Sequence, residues 1–240
     1  MNLKFTLLFA WYYGFNTILR GPSYLIAALS TPMTLLFLVY VLSHGTLLAF
    51  AVVGGFVSLI STISLSSASD AAFLRIQLRF QDLFVPTRTG PTEYMIGLTL
   101  SYLVFSIPGI AIYAIFGYFL HIMTAIRSLE MAGLLIVLVV STASVSFIIS
   151  GLIKHIRNVW GIAAILSIVM TILPPTFYPY VYLPKWALYI LSVSPSTPAA
   201  VIAQWIFGLS PALPIMIPVL VVESLVFFSI ARFMTRWREN

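Results

Sequence analysis

The sequence predicts an all-α polytopic membrane protein with six transmembrane helices, and three observations carry that prediction. The first is composition: the chain is 61% hydrophobic and 8% charged, with a mean hydropathy of +1.07. Soluble domains carry roughly 25% charged residues, so no soluble fold could hide this much apolar surface. The second is segmentation into long apolar stretches near the roughly 20 residues that a span requires. The third is charge. Lys4, Arg20, Arg75, Arg79, Arg88, Lys154, Arg157, Arg232, Arg236 and Arg238 fall at every second junction, and only Arg127 and Lys185 fall at the others. Cytoplasmic loops retain Lys and Arg, so this bias predicts a multi-pass cell-membrane protein with both termini in the cytoplasm. Six spans use most of the chain, and a single transmembrane domain over residues 1–240 is expected.

The elements follow in order. Leu8, Trp11, Tyr12, Phe15 and Leu19 recur at helical spacing, so residues 3–19, within a segment 1–21, read as an amphipathic helix in the cytoplasmic interface. A ragged start to the first span is the other reading. A cleaved leader is not expected, because Asn16, Thr17 and Arg20 interrupt the run and no small-x-small site follows. The first span is expected over Pro22–Leu42, with Pro22 suited to a first helical turn, and the second over Leu47–Ser67. A cytoplasmic segment occupies 70–90. The third span covers Thr92–Leu120, and the fourth covers Met131–Ile153 after a loop holding His121, Arg127 and Glu130. The fifth run, Val159–Leu173, reaches only about 22 Å, short of the ~30 Å core. Pro174-Pro175 then stops it. Two short outer re-entrant helices are expected within 174–208, because irregular backbone at membrane depth must be buried in protein or line a wet cavity. The sixth span is expected over Pro211–Phe233.

Several chemistries are excluded by residue type. There is no cysteine and no Gly-x-x-x-x-Gly-Lys-Ser/Thr loop, so this chain does not itself cradle nucleotide phosphates. His44, His121 and His155 fall in separate loops, and no metal or catalytic site is expected. The basic pI of 9.7 reflects orientation and lipid contact rather than nucleic-acid binding. Segment 70–90 is the most informative stretch. Phe73, Ile76, Phe80, Leu83 and Phe84 share a helical stripe that Pro86 ends. That stripe reads either as apolar knobs for a groove on a cytoplasmic partner or as a self-anchoring interfacial helix.

Gln81-Asp82-Leu83-Phe84-Val85-Pro86-Thr87, then Gly90-Pro91-Thr92-Glu93-Tyr94 and Gly97, resembles the cytoplasmic segment of type-two ATP-binding-cassette (ABC) exporter permeases. Pro174-Pro175-Thr176-Phe177-Tyr178-Pro179, Leu183-Pro184-Lys185-Trp186 and Ser194-Pro195-Ser196-Thr197-Pro198 resemble that family's outer segment between the fifth and sixth spans. Pro174-Pro175 departs from the usual Ser or Gly, and Ser194-Pro195 from a common Asn-Pro. The resemblance implies a transport subunit, not an enzyme by itself. A second permease chain, identical or not, and two cytoplasmic ATPase subunits would pair with it, and those ATPases would bind ATP and Mg. Phe73, Ile76, Phe80, Asp82, Leu83, Phe84, Pro86 and Thr87 would then couple to the ATPase.

Phe177, Tyr178, Tyr180 and Trp186 read as an outer gate or as an aromatic belt. Tyr102, Phe105 and Tyr113 read as pathway lining or as plain packing. Glu223 is the one acid well inside a span, where a charged side chain costs roughly 2.5–3.5 kcal/mol, so it should face protein or water. The expected function is export of an amphipathic substrate such as a drug, a lipid-linked glycan or a hydrophobic metabolite. A membrane scaffold without transport and an ion-exporting permease are the competing readings.

Overall fold

The structure, a computed structural model, describes residues 3–78, 90–153 and 155–234. Within them the chain forms α1 (Leu3–Arg20), α2 (Pro22–Leu42), α3 (Leu48–Ile76), α4 (Pro91–Phe119), α5 (Ala125–Leu152) and α6 (Ile156–Ile172). A short 3-10 turn (Tyr180–Tyr182), α7 (Lys185–Leu191), α8 (Ser196–Ile206) and α9 (Met216–Met234) follow. The all-α polytopic class is therefore as the sequence predicts. Five helices, α2, α3, α4, α5 and α9, are long and apolar enough to cross a bilayer. The 17 residues of α6 reach about 26 Å, so the shortfall legible in the sequence is real. Helices α7 and α8 turn by 118° at their junction, the geometry of either a broken span or a re-entrant loop.

Helix α3 is the hub of the bundle and packs against α2, α4, α5, α6 and α8. Its small polar residues make this close approach feasible, as in membrane bundles generally. Ser58, Ser61, Ser64, Ser67 and Ser69 are all buried. The Ser146 hydroxyl of α5 donates to the Ser64 carbonyl, and the Ser196 hydroxyl of α8 donates to the Ser61 hydroxyl at 2.8 Å. Three boundaries are corrected. The second-span helix continues past Ser67 to Ile76, with the Ser67 hydroxyl donating back to the Ser64 carbonyl of its own helix. The fourth-span helix starts at Ala125, where the Thr124 side chain accepts the Arg127 N–H, so Arg127 and Glu130 sit on helix rather than loop. The last helix starts at Met216, not Pro211: Met216 N–H bonds to the Leu213 carbonyl, and Pro211 and Pro214 keep the preceding chain in turns.

Helix α1 runs alongside the first part of α4 in the same direction. Its small face, Thr6, Ala10 and Gly14, is buried, and the outward stripe of Leu8, Trp11, Tyr12, Phe15 and Leu19 is exposed. A Cβ on Gly14 would lie 2.5 Å from the Ser101 carbonyl oxygen, so only glycine permits this spacing. Tyr94 is fully buried and its ring lies 5.9 Å from that of Phe9. The Gly90-Pro91-Thr92-Glu93 stretch starts α4: Pro91 takes the first turn and the Gly90 N–H donates to the Glu93 carboxylate at 2.7 Å.

Gly54 of α3 meets the segment after α6 directly, since a Cβ there would lie 1.7 Å from the Thr176 carbonyl oxygen. Backbone cannot give way as a flexible side chain does. Gly54→Ala is therefore expected to exceed the roughly 1–3 kcal/mol of ordinary overpacking. Gly133→Ala on α5 meets nothing within 4 Å and should be neutral or stabilising by up to about 1 kcal/mol. Thermal unfolding in detergent, followed by size-exclusion chromatography, compares the two directly.

Candidate functional site

Where α2 and α6 flank α3, the helices do not close on one another. They leave a half-open cavity of about 810 Å³, bounded also by α1 and α4. It extends about 18 Å along α3, from Thr62 to Leu74, at 1.5 Å per residue. Its walls mix aromatic faces (Tyr13, Phe73, Tyr102, Phe105 and Trp160) with hydroxyls from every bounding helix. Among the described residues, one carboxyl group, Asp70, lines it, and no Lys, Arg or His does. Cavities of this size with few polar groups among apolar walls are the usual form of small-molecule sites.

The structure sorts the residues singled out in the sequence. Tyr102 and Phe105 line the cavity, and the Tyr102 hydroxyl donates to the Ser67 carbonyl at 3.4 Å. Tyr113 does not join them. It is fully buried, with its ring 5.7 Å from Phe56 and closed against Gly55. Phe73 borders the cavity, whereas Ile76 packs beside Ala72, Ile149 and Ile153. Phe80, Asp82, Leu83, Phe84, Pro86 and Thr87 lie outside the described residues.

The four aromatics expected at an outer gate do not form one cluster. Phe177 and Tyr180 are buried and Trp186 is exposed. The Tyr178 hydroxyl donates to the Leu173 carbonyl, and the Tyr180 hydroxyl to the Pro211 carbonyl. What organises this segment is Gln204 of α8, which is 1% exposed. Its Nε2 donates to the Pro175 and Tyr178 carbonyls at 2.7 and 2.9 Å. Its Oε1 accepts from the Tyr180 N–H and the Ser210 hydroxyl at 3.1 and 3.0 Å. The only sequence signal for it is one amide inside the apolar run Ala199–Phe207.

Arg75 is the second residue that spacing does not reveal. It is 7% exposed, and its Nη2 donates to the Ser150 and Ile153 carbonyls, both at 2.7 Å. A cation there meets the negative end of the α5 dipole and satisfies carbonyls that the helix terminus leaves open.

Glu223 sits half-buried on α9, beside the Ser224 hydroxyl that contacts the Val137 carbonyl of α5 at 3.5 Å. Its Oε2 is buried and bonds no described group. Glu223→Gln keeps the shape and removes the charge. It is expected to leave thermal stability within about 0.5 kcal/mol, and loss of transport at normal assembly would mark Glu223 as part of the path.

A multi-pass helical bundle with a wide, partly polar cavity beside its central helix is the architecture of a membrane permease. The family model described as ABC-2 type transporter matches residues 7–208, and the chain belongs to that family. It is a membrane permease subunit of an ABC transporter, from a family whose members are transport subunits, generally without catalysis of their own, and normally work with ATPase subunits. No individual curated protein matches the chain.

Proposed function

We propose that this chain is the permease of an ATP-driven exporter of amphipathic molecules. The supporting observation is the cavity between α2, α3 and α6, whose aromatic and hydroxyl walls suit a molecule with apolar and polar parts. Two permease chains, identical or not, would pair in the membrane with their termini in the cytoplasm, and two separate ATPase subunits would bind ATP and Mg beneath them. Segment 79–89 joins the end of α3 to the start of α4, and both helices line the cavity. A push on that segment by closing ATPases would therefore reach the cavity wall through α3 and α4 without an intermediary.

The test begins with purification of the tagged chain from its own cells in mild detergent. Stoichiometric ATPase subunits whose turnover rises with hydrophobic compounds are expected. Replacing Asp82-Leu83-Phe84 with alanines should abolish that stimulation and leave membrane insertion intact. Retained stimulation would remove the segment from the mechanism. A chain that purifies without an ATPase would favour a scaffold, and turnover that follows ion gradients rather than amphiphiles would favour an ion exporter.

A further inference from the structure

We infer that the cavity selects lipophilic cations, binding the cationic centre beside Asp70 and the apolar groups against its aromatic walls. This rests on the exporter reading and narrows its substrate class. Among the described residues, Asp70 is the single carboxyl group on the cavity wall, and no basic side chain shares that wall. Among the described residues no hydrogen-bond donor or cation pairs with it. Arg75, five residues on, is not on the cavity wall and donates to the Ser150 and Ile153 carbonyls. A carboxylate withdrawn from water is costly unless a cation meets it, and the described residues supply none, so the ligand is the natural source.

The remaining wall chemistry agrees. Tyr13, Phe73, Tyr102, Phe105 and Trp160 offer the electron-rich faces that attract ammonium-type centres. An anion of equal size would meet Asp70 as a like charge.

The chain, with the subunits that purify with it, is placed in lipid nanodiscs. Binding of tetraphenylphosphonium and tetraphenylborate, matched in size and opposite in charge, is measured by equilibrium dialysis against empty nanodiscs. The phosphonium is expected to bind about tenfold or more tighter than the borate, the discrimination of one desolvated charge contact. Asp70→Asn should remove that preference. Ser66 lies one turn away on the same helix and is exposed to the cavity, so Ser66→Lys should reverse the preference, and it carries the test if Asp70→Asn fails to assemble. Equal binding of the two ions, a borate preference, or phosphonium binding unchanged in both variants overturns the cation inference and leaves the exporter reading standing. Binding of neither ion, with no stimulation of ATP turnover by any amphiphile, overturns both.

Discussion

Gln204→Leu is expected to release the segment between α6 and α9 from the bundle. Leucine matches glutamine closely in volume, so the change leaves little cavity and isolates the loss of hydrogen bonds. The Pro175 and Tyr178 carbonyls, the Tyr180 N–H and the Ser210 hydroxyl would all lose their partner at once. Each buried group left unsatisfied costs about 1–3 kcal/mol, and whole domains are stable by only about 5–15 kcal/mol. Gln204→Glu keeps the acceptor and loses both donated bonds, so a carboxylate would face two carbonyl oxygens. It should be no better tolerated. Lys185 is the single Lys or Arg between Arg157 and Arg232, and it lies on α7 within the affected segment. Tryptic cleavage after Lys185 should therefore accelerate in both variants. Unchanged cleavage in Gln204→Leu would mean that the segment is held by apolar packing alone.

The contrast between what the sequence reveals and what it hides follows from the kind of signal each residue carries. Helix α2 starts and ends where the sequence places it, because Pro22 fixes the first turn and Ser43-His44-Gly45 closes the last. His44 takes a left-handed φ of 49° and Gly45 one of 83°, the conformations that end helices. The break between α7 and α8 is legible because the two apolar runs are too short to span alone and prolines separate them. Depth along a helix is harder to read. Tyr102 and Tyr113 are eleven residues apart, about three turns, so periodicity puts them on nearly one face. They are about 16 Å apart along the axis, and the cavity does not extend that far: Gly55 of α3 comes in against Tyr113. Partner identity is harder still. Gln204 and Arg75 act through backbone carbonyls, and a carbonyl carries no sequence signature.

Arg75→Met is expected to uncouple the permease while leaving its membrane orientation intact. Nine of the ten cations on the predicted cytoplasmic junctions remain, so the topological signal survives. Local structure does not. The Ser150 and Ile153 carbonyls lose a charged donor, and the α5 terminus loses the cation that meets its dipole. Together these are worth about 2–4 kcal/mol. The position of this contact matters more than its strength. Arg75 is one residue from the end of α3, and Ile153 is one residue past the end of α5, where the chain turns into α6. Both α3 and α6 are walls of the cavity, so the Arg75 contact ties one wall to the root of the other. A push delivered through segment 79–89 would reach α6 by this route. Arg75→Met should lower thermal stability and abolish stimulation of the partner ATPase by amphiphiles, with basal turnover retained. Arg75→Lys, which keeps a cation but on a shorter reach, should fall between. If Arg75→Met loses stability and keeps stimulation, the contact is a structural clamp, and α6 must follow α3 through their direct packing instead.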